Sequence, residues 1–107
     1  MECAPDLTTL KNAASEAVGL LKTLGNPDRL LLLCQMAGQE CSVSELEEVL
    51  DIHQPTLSQQ LGILRRAGLV ATRKEGKQIF YRLSSDKASA VIATLYGLYC
   101  QPEGSTP

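Results

Sequence analysis

Between Ser42 and Leu83 the hydrophobic period of this chain changes once, and that change narrows the folds open to it. Residues 43–67 carry apolar side chains every three or four positions, in two short runs broken by "DIH" at 51–53. Past Gly68 the runs "LVATRK" and "QIFYRL" are β-prone and are separated by "EG" with a flanking lysine. The first pattern reads as two short helices joined by a tight turn, and the second as a two-stranded hairpin.

Helical periodicity also frames this stretch on both sides. Over residues 6–24, Leu7, Leu10, Ala14, Ala17, Leu21 and Leu24 form the narrow seam expected of helix-on-helix packing. "GNP" then offers Gly25 as a terminator, Asn26 as a cap and Pro27 as the first residue of a second helix, about 27–37. That helix contains "RLLLLCQMA", apolar around much of its circumference, and is expected to be buried. Ser42 or Ser44 caps a third helix with Val43, Leu46, Val49 and Leu50 facing inward, and a fourth helix runs over about 54–67 to Gly68. Ser84, Ser85 or Asp86 caps a last helix to about Cys100, with Val91, Ile92, Leu95, Leu98 and Tyr99 on a wide apolar face. "QPEGSTP" reads as a frayed tail over about 101–107. The expected fold class is mainly α with a β-hairpin wing: a winged helix-turn-helix of five helices plus two strands, as a single domain over 1–107.

Composition fits one small folded domain, with 44% apolar residues in 107. No apolar run approaches the roughly 20 residues needed to span a bilayer, and "MECAPDLTTLK" has no basic segment leading into an apolar one. A cytoplasmic location without a membrane partner is therefore expected, and the four cysteines read as thiols, metal ligands or redox sensors, not as a disulfide framework. One histidine, no nucleophile–base pair and no phosphate-cradling glycine loop argue against an enzyme. No cofactor is expected.

The net charge of −2 does not advertise a nucleic-acid partner, but its distribution does. Residues 65–87 hold seven basic side chains (Arg65, Arg66, Arg73, Lys74, Lys77, Arg82, Lys87) against Glu75 and Asp86, whereas residues 41–64 hold four acids and no Lys or Arg. A basic strip on an acidic body can bind phosphates locally. In the fourth helix, Leu57, Leu61 and Leu64 fall within about 60° of one another at 100° per residue, which makes them the packed stripe. The opposite side and flanks then carry Thr56, Ser58, Gln59 and Gln60, with Gln54 just before them. Amides and hydroxyls both donate and accept, which suits reading base edges, while Arg65 and Arg66 in the last turn can reach phosphates. The hairpin tip "RKEGKQ" makes Arg73, Lys74, Lys77 and Gln78 the expected wing contacts to phosphates or the minor groove.

The order of elements, with "LKTLGNPDRLLLL", "SVSELEEVLDIHQPTLSQQLGILRRAGLV" and "KQIFYRL", resembles the ArsR-type winged-helix regulators over most of the chain. The resemblance implies a homodimer through the first and last helices that binds an inverted-repeat operator in double-stranded DNA and releases it when an inducer acts. Many family members sense metals through a Cys-Val-Cys in the third helix; here that stretch reads Ser42-Val43-Ser44. Others place Asp and His ligands along the last helix; here only Asp86 is present, and the single histidine, His53, lies in the turn of the helix-turn-helix. The contexts "LLLLCQMAG" and "LYGLYCQ" instead resemble the dithiol subgroup, which includes biofilm growth-associated and sulfide-responsive repressors and haemolysin regulators. That resemblance implies Cys34 and Cys100 as a switch responding to reactive sulfur species or oxidants. Cys34 lies near a helix C-terminus, whose dipole opposes a thiolate, so its activation needs another cause, with Arg29 or the end of the last helix as candidates. Two alternatives stay open: a metal- or metalloid-responsive repressor using Cys34, Cys41 and Cys100, and a protein-interaction module that no longer binds DNA. Cys3 departs from the simplest two-cysteine pattern.

Overall fold

Capping residues punctuate the chain where the sequence places them. Asp6 accepts from the Thr9 amide at 2.8 Å and opens α1 (Leu7–Leu24), and Asn26 accepts from the Arg29 amide at 3.1 Å to open α2 (Pro27–Ala37). The structure, a computed structural model, describes residues 6–100. Two residues, Cys41–Ser42, then form β1, followed by α3 (Val43–Leu50) and α4 (Thr56–Arg66). The strands β2 (Val70–Glu75) and β3 (Gln78–Leu83) and the helix α5 (Asp86–Tyr99), capped by Ser85, complete the order. Cys3 and the tail from residue 101 lie outside the described residues.

Of the alternatives left open for α3, Ser42 is the cap. Its hydroxyl accepts from the Glu45 amide at 3.2 Å while the Glu45 carboxylate accepts from the Ser42 amide at 2.8 Å, a reciprocal capping box. Asp51 closes the helix in the left-handed region at φ 57°, which a short polar side chain tolerates. Gly68 at φ 78° turns the chain from α4 into the hairpin, and Gly76 at φ 63° makes the tight turn between its strands.

The sheet has the antiparallel order β1-β3-β2, with Cys41 opposite Tyr81 and Ser42 opposite Phe80. The hairpin is as expected; β1 is an addition to it. A two-residue strand cannot express an alternating pattern, and both of its residues are buried. Its pairing anchors the base of the wing beside the start of α3.

The core gathers Leu32, Leu33 and Met36 from α2, Leu46 from α3, and Leu57, Leu61 and Leu64 from α4. Leu24 of α1, Ala88 and Ile92 of α5, and Cys41, Ile52, Leu69 and Val70 from β1, β2 and the connections complete it. Two burial expectations are corrected. α2 buries one face only, because Leu31 and Cys34 project outward, so Cys34 is exposed on a helix read from its composition as buried. Val49, expected inward, is 59% exposed, since an eight-residue helix lying against the body has room for a single deep contact, at Leu46. Most of α1 also stays exposed, Leu7, Leu10 and Leu21 included.

The capping box and the exposed face of α3 predict opposite sensitivities. Ser42→Ala should lower stability by about 1 kcal/mol in urea unfolding. Val49→Ala should change it by no more than about 0.5 kcal/mol, as expected of an exposed site.

Candidate nucleic-acid interface

The buried stripe of α4 decides what the helix presents to solvent. With Leu57, Leu61 and Leu64 at most 2% exposed, Ser58 and Gln59 are exposed and Thr56 is half-buried at the first turn. Gln54 precedes the helix, which begins two residues later than its sequence pattern suggests. The Gln54 carbonyl oxygen accepts from the Ser58 amide at 3.0 Å and so satisfies a backbone donor of the first turn. Gln60 is half-buried, and its carbonyl oxygen accepts from Arg29 Nη1 at 2.9 Å. The five expected polar residues thus share one helical segment in two states: Thr56, Ser58 and Gln59 without a side-chain hydrogen bond among the described residues, Gln54 and Gln60 each holding one.

The basic side chains divide in the same way. Arg73 is paired, its Nε 2.9 Å from Glu40 and its Nη1 3.1 Å from Glu75, with the guanidinium 4.7 Å over the Phe80 ring. Both carboxylates hold its positive charge in place, and together they offset much of the local field. Lys74, Lys77 and Gln78 at the hairpin tip are exposed, as are Arg65, Arg66 and Arg82, and these five cations have no ion pair among the described residues. Apart from Lys11 and Lys22 on α1, which are also exposed and without an ion pair among the described residues, the free positive charge lies at the end of α4 and along the outer hairpin.

A second feature sits in the turn just before α4. His53 Nδ1 lies 3.2 Å from Glu47 and Nε2 lies 2.7 Å from Asp51, so one ring joins two carboxylates across the α3–α4 turn. These contacts raise the His53 pKa above its ordinary value, the Glu47 bond contributing most. The sequence did not point to this clamp, because a helix-turn-helix sequence does not say which way a turn histidine folds.

The cysteines are all free among the described residues. Cys34 on α2 and Cys100 at the end of α5 are both exposed, and a charge on Cys100 opposes ionisation of Cys34. Burial, the larger cause, and this repulsion together push the Cys34 thiol up, so neither candidate activator acts in the isolated chain. Arg29 is committed to Gln60 and to the carbonyls of Thr23 and Lys22 instead. Cys41 is buried and donates weakly to the carbonyls of Gln35 and Gln39; burial, with Glu45 and Glu40, raises its pKa. Among the described residues no three His, Cys, Asp or Glu side chains converge to hold a metal ion.

Comparison with known proteins places this geometry. Residues 26–72, from α2 into β2, match the family described as "Bacterial regulatory protein, arsR family". The chain is 58% identical over 97 residues to the biofilm growth-associated repressor of Agrobacterium fabrum, covering 91% of this chain and 83% of that protein. The chain belongs to the ArsR family. It is 46% identical over 96 residues to the transcriptional activator HlyU of Vibrio cholerae, covering 90% of this chain and 89% of that one. Among solved structures, reduced HlyU from V. cholerae superposes with a TM-score of 0.85 over 89% of this chain and all of that one. The repressor BigR from Xylella fastidiosa does so at 0.82, with 48% identity, over 89% and 97% of the two chains. This ArsR-family chain is thus a DNA-binding transcriptional regulator with a winged helix-turn-helix, and its relatives are regulators, not enzymes. Among the described residues no helix is long and apolar enough to cross a membrane.

The histidine clamp yields a direct measurement. A group whose folded pKa is raised stabilises the fold fully below its unfolded value, near 6.5, and loses that contribution as pH rises through the folded value. Titration of the single imidazole by NMR should give a midpoint above 6.5, and Glu47→Gln should bring it down. A His53→Ala variant should lag the wild type in stability at pH 5.5 and draw level with it once the pH has risen through the wild type's measured imidazole midpoint.

Proposed function

We propose that this regulator is a homodimeric repressor that places α4 of each protomer in successive major grooves of an inverted-repeat operator. It lets go when Cys34 and Cys100 become bridged. The observation that carries the sensing half is that two exposed thiols, on α2 and at the end of α5, lie near enough for the charge of one to act on the other. The 58% identity to a protein named as a repressor supports the sign of regulation. Operator binding puts the work in the cytoplasm.

For the DNA, Thr56, Ser58 and Gln59 approach base edges, with the free amide hydrogens of Gln54 beside them. Arg65 and Arg66 meet phosphates, and Lys74, Lys77 and Gln78 at the wing follow the backbone or the minor groove. Arg73 serves mainly to stiffen the wing through Glu40 and Phe80. For the dimer, the exposed Leu7, Leu10 and Leu21 of α1 and Tyr96, Leu98 and Tyr99 of α5 are the apolar side chains that a partner would cover.

The switch is written for a persulfide as inducer. Each thiol takes the sulfane sulfur of a persulfide and releases the donor as a thiol. The two protein persulfides then condense to a trisulfide with loss of hydrogen sulfide. With a peroxide, the two thiols give a disulfide and the peroxide is reduced to two waters. A trisulfide tolerates a wider separation of Cα atoms than a disulfide, which needs them within roughly 7 Å. Either link ties α2 to α5 and so shifts the seam that spaces the two α4 helices about 34 Å apart, one turn of DNA.

The test uses fluorescence anisotropy on the duplex upstream of the protein's own gene. Reduced wild type should bind with a salt-dependent affinity, and a persulfide donor should weaken binding by about tenfold or more, a shift of roughly 1.4 kcal/mol. Cys34→Ser should bind equally well with or without the donor. Release of DNA by treated Cys34→Ser protein, or no added-sulfur link between the Cys34 and Cys100 peptides by mass spectrometry, rejects the switch.

A further inference from the structure

One side chain joins three helices beneath the DNA-reading face. Arg29, in the first turn of α2, donates from Nε to the Thr23 carbonyl at 2.7 Å and from Nη2 to the Lys22 carbonyl at 3.3 Å. Both acceptors belong to the last turn of α1, where the Lys22 carbonyl otherwise receives the Gly25 amide at 3.3 Å and the helix dipole favours a cation. Its remaining arm donates from Nη1 to Gln60 of α4 at 2.9 Å. The base of the side chain is fixed as well, because the Arg29 amide donates to the Asn26 cap at 3.1 Å. A planar guanidinium held at three points transmits position better than a flexible point charge does.

We infer that Arg29 is a positioning residue for DNA recognition: it sets the placement of α4 relative to the end of α1, and Gln60 is its anchor on α4. This rests on the reading of α4 as the DNA-reading helix. The chemistry of the amide supports the anchoring role. Arginine has only donors, so the amide atom facing it must be the Gln60 carbonyl oxygen. Bidentate recognition of adenine needs both the oxygen and the nitrogen of a glutamine amide, and here the oxygen is turned inward to α2. Gln60 also lies nearer the leucine stripe than Ser58 and Gln59 do, and it is half-buried where they are exposed. In a dimer built through α1, the same guanidinium ties the helix that meets the partner to the helix that meets the groove.

The experiment first selects duplexes from a random-sequence pool with reduced wild-type protein. Affinity for the selected duplex and for a scrambled one is then measured across salt concentrations. The variants are Arg29→Ala, Gln60→Ala, Gln60→Glu and the double alanine, each checked for helix content by circular dichroism. Each single alanine should weaken binding to the selected duplex by about tenfold, and the double should lose about tenfold as well, since both remove one link. Affinity for the scrambled duplex and the salt slope should stay unchanged. Gln60→Glu keeps the acceptor for Arg29 and should bind the selected duplex within about threefold of wild type.

Multiplying losses in the double variant, or Gln60→Glu failing as Gln60→Ala does, would overturn the inference; the latter would mean that Gln60 itself donates to DNA. A fall in affinity for both duplexes with a salt slope reduced by about one would make Arg29 a phosphate contact instead. Should Arg29→Ala lose its helix content, the Gln60 pair alone decides. Wild type that enriches no sequence would instead remove the DNA-reading role of α4, a failure distinct from that of the inference.

Discussion

The structure depends on the burial of Leu57, Leu61 and Leu64 against the leucines and Met36 of the core. Nothing in α4 caps its own N-terminus; Pro55 stands there without a side-chain hydrogen bond, and Gln54 reaches over to serve Ser58. An 11-residue helix with such a start gains its stability from packing, not from its ends. Once the three leucines are inside, the rotation of the helix is fixed, and the Ser58 and Gln59 side chains have nowhere to go but outward. The polar face that we propose reads DNA is in this sense a by-product of the core.

Electrostatics then refines what packing sets. The chain is acidic overall, so its phosphate-binding charge must be local. Pairing of Arg73 with Glu40 and Glu75 takes one cation out of that local field and uses it to brace the wing against the segment before β1. Arg65, Arg66, Lys74, Lys77 and Arg82 remain as exposed, unpaired cations around the end of α4 and along the hairpin. In the turn between α3 and α4, His53 gathers Glu47 of α3 and Asp51, the residue that closes that helix.

Much of this was legible from the sequence because the signals were local. Asn26 and Pro27, Gly68 and Gly76 each act within a few residues of themselves, a serine cap for α3 was legible though not which serine, and the leucine period of α4 needs no partner to be recognised. What stayed hidden depends on contacts across the chain. β1 is too short to carry a pattern and exists only because β3 offers it an edge. The reach of Arg29 to Gln60 spans 31 positions, and that of Arg73 to Glu40 spans 33. Cys34 could not be placed from "RLLLLCQMA", since a helix apolar on nearly every side gives no phase for the one face that the core takes. Its outward position makes the thiol available, while its raised pKa favours the protonated form at rest.

The account stands or falls on which surface meets the duplex. Amide chemical shifts of the reduced, isotopically labelled protein, followed as a selected duplex is added, test that most directly. The largest and earliest changes should fall on residues 54–60 and 74–78, with the outer faces of α1 and α5 little altered. Changes centred on α1 and α5, with residues 54–60 unmoved, would contradict it.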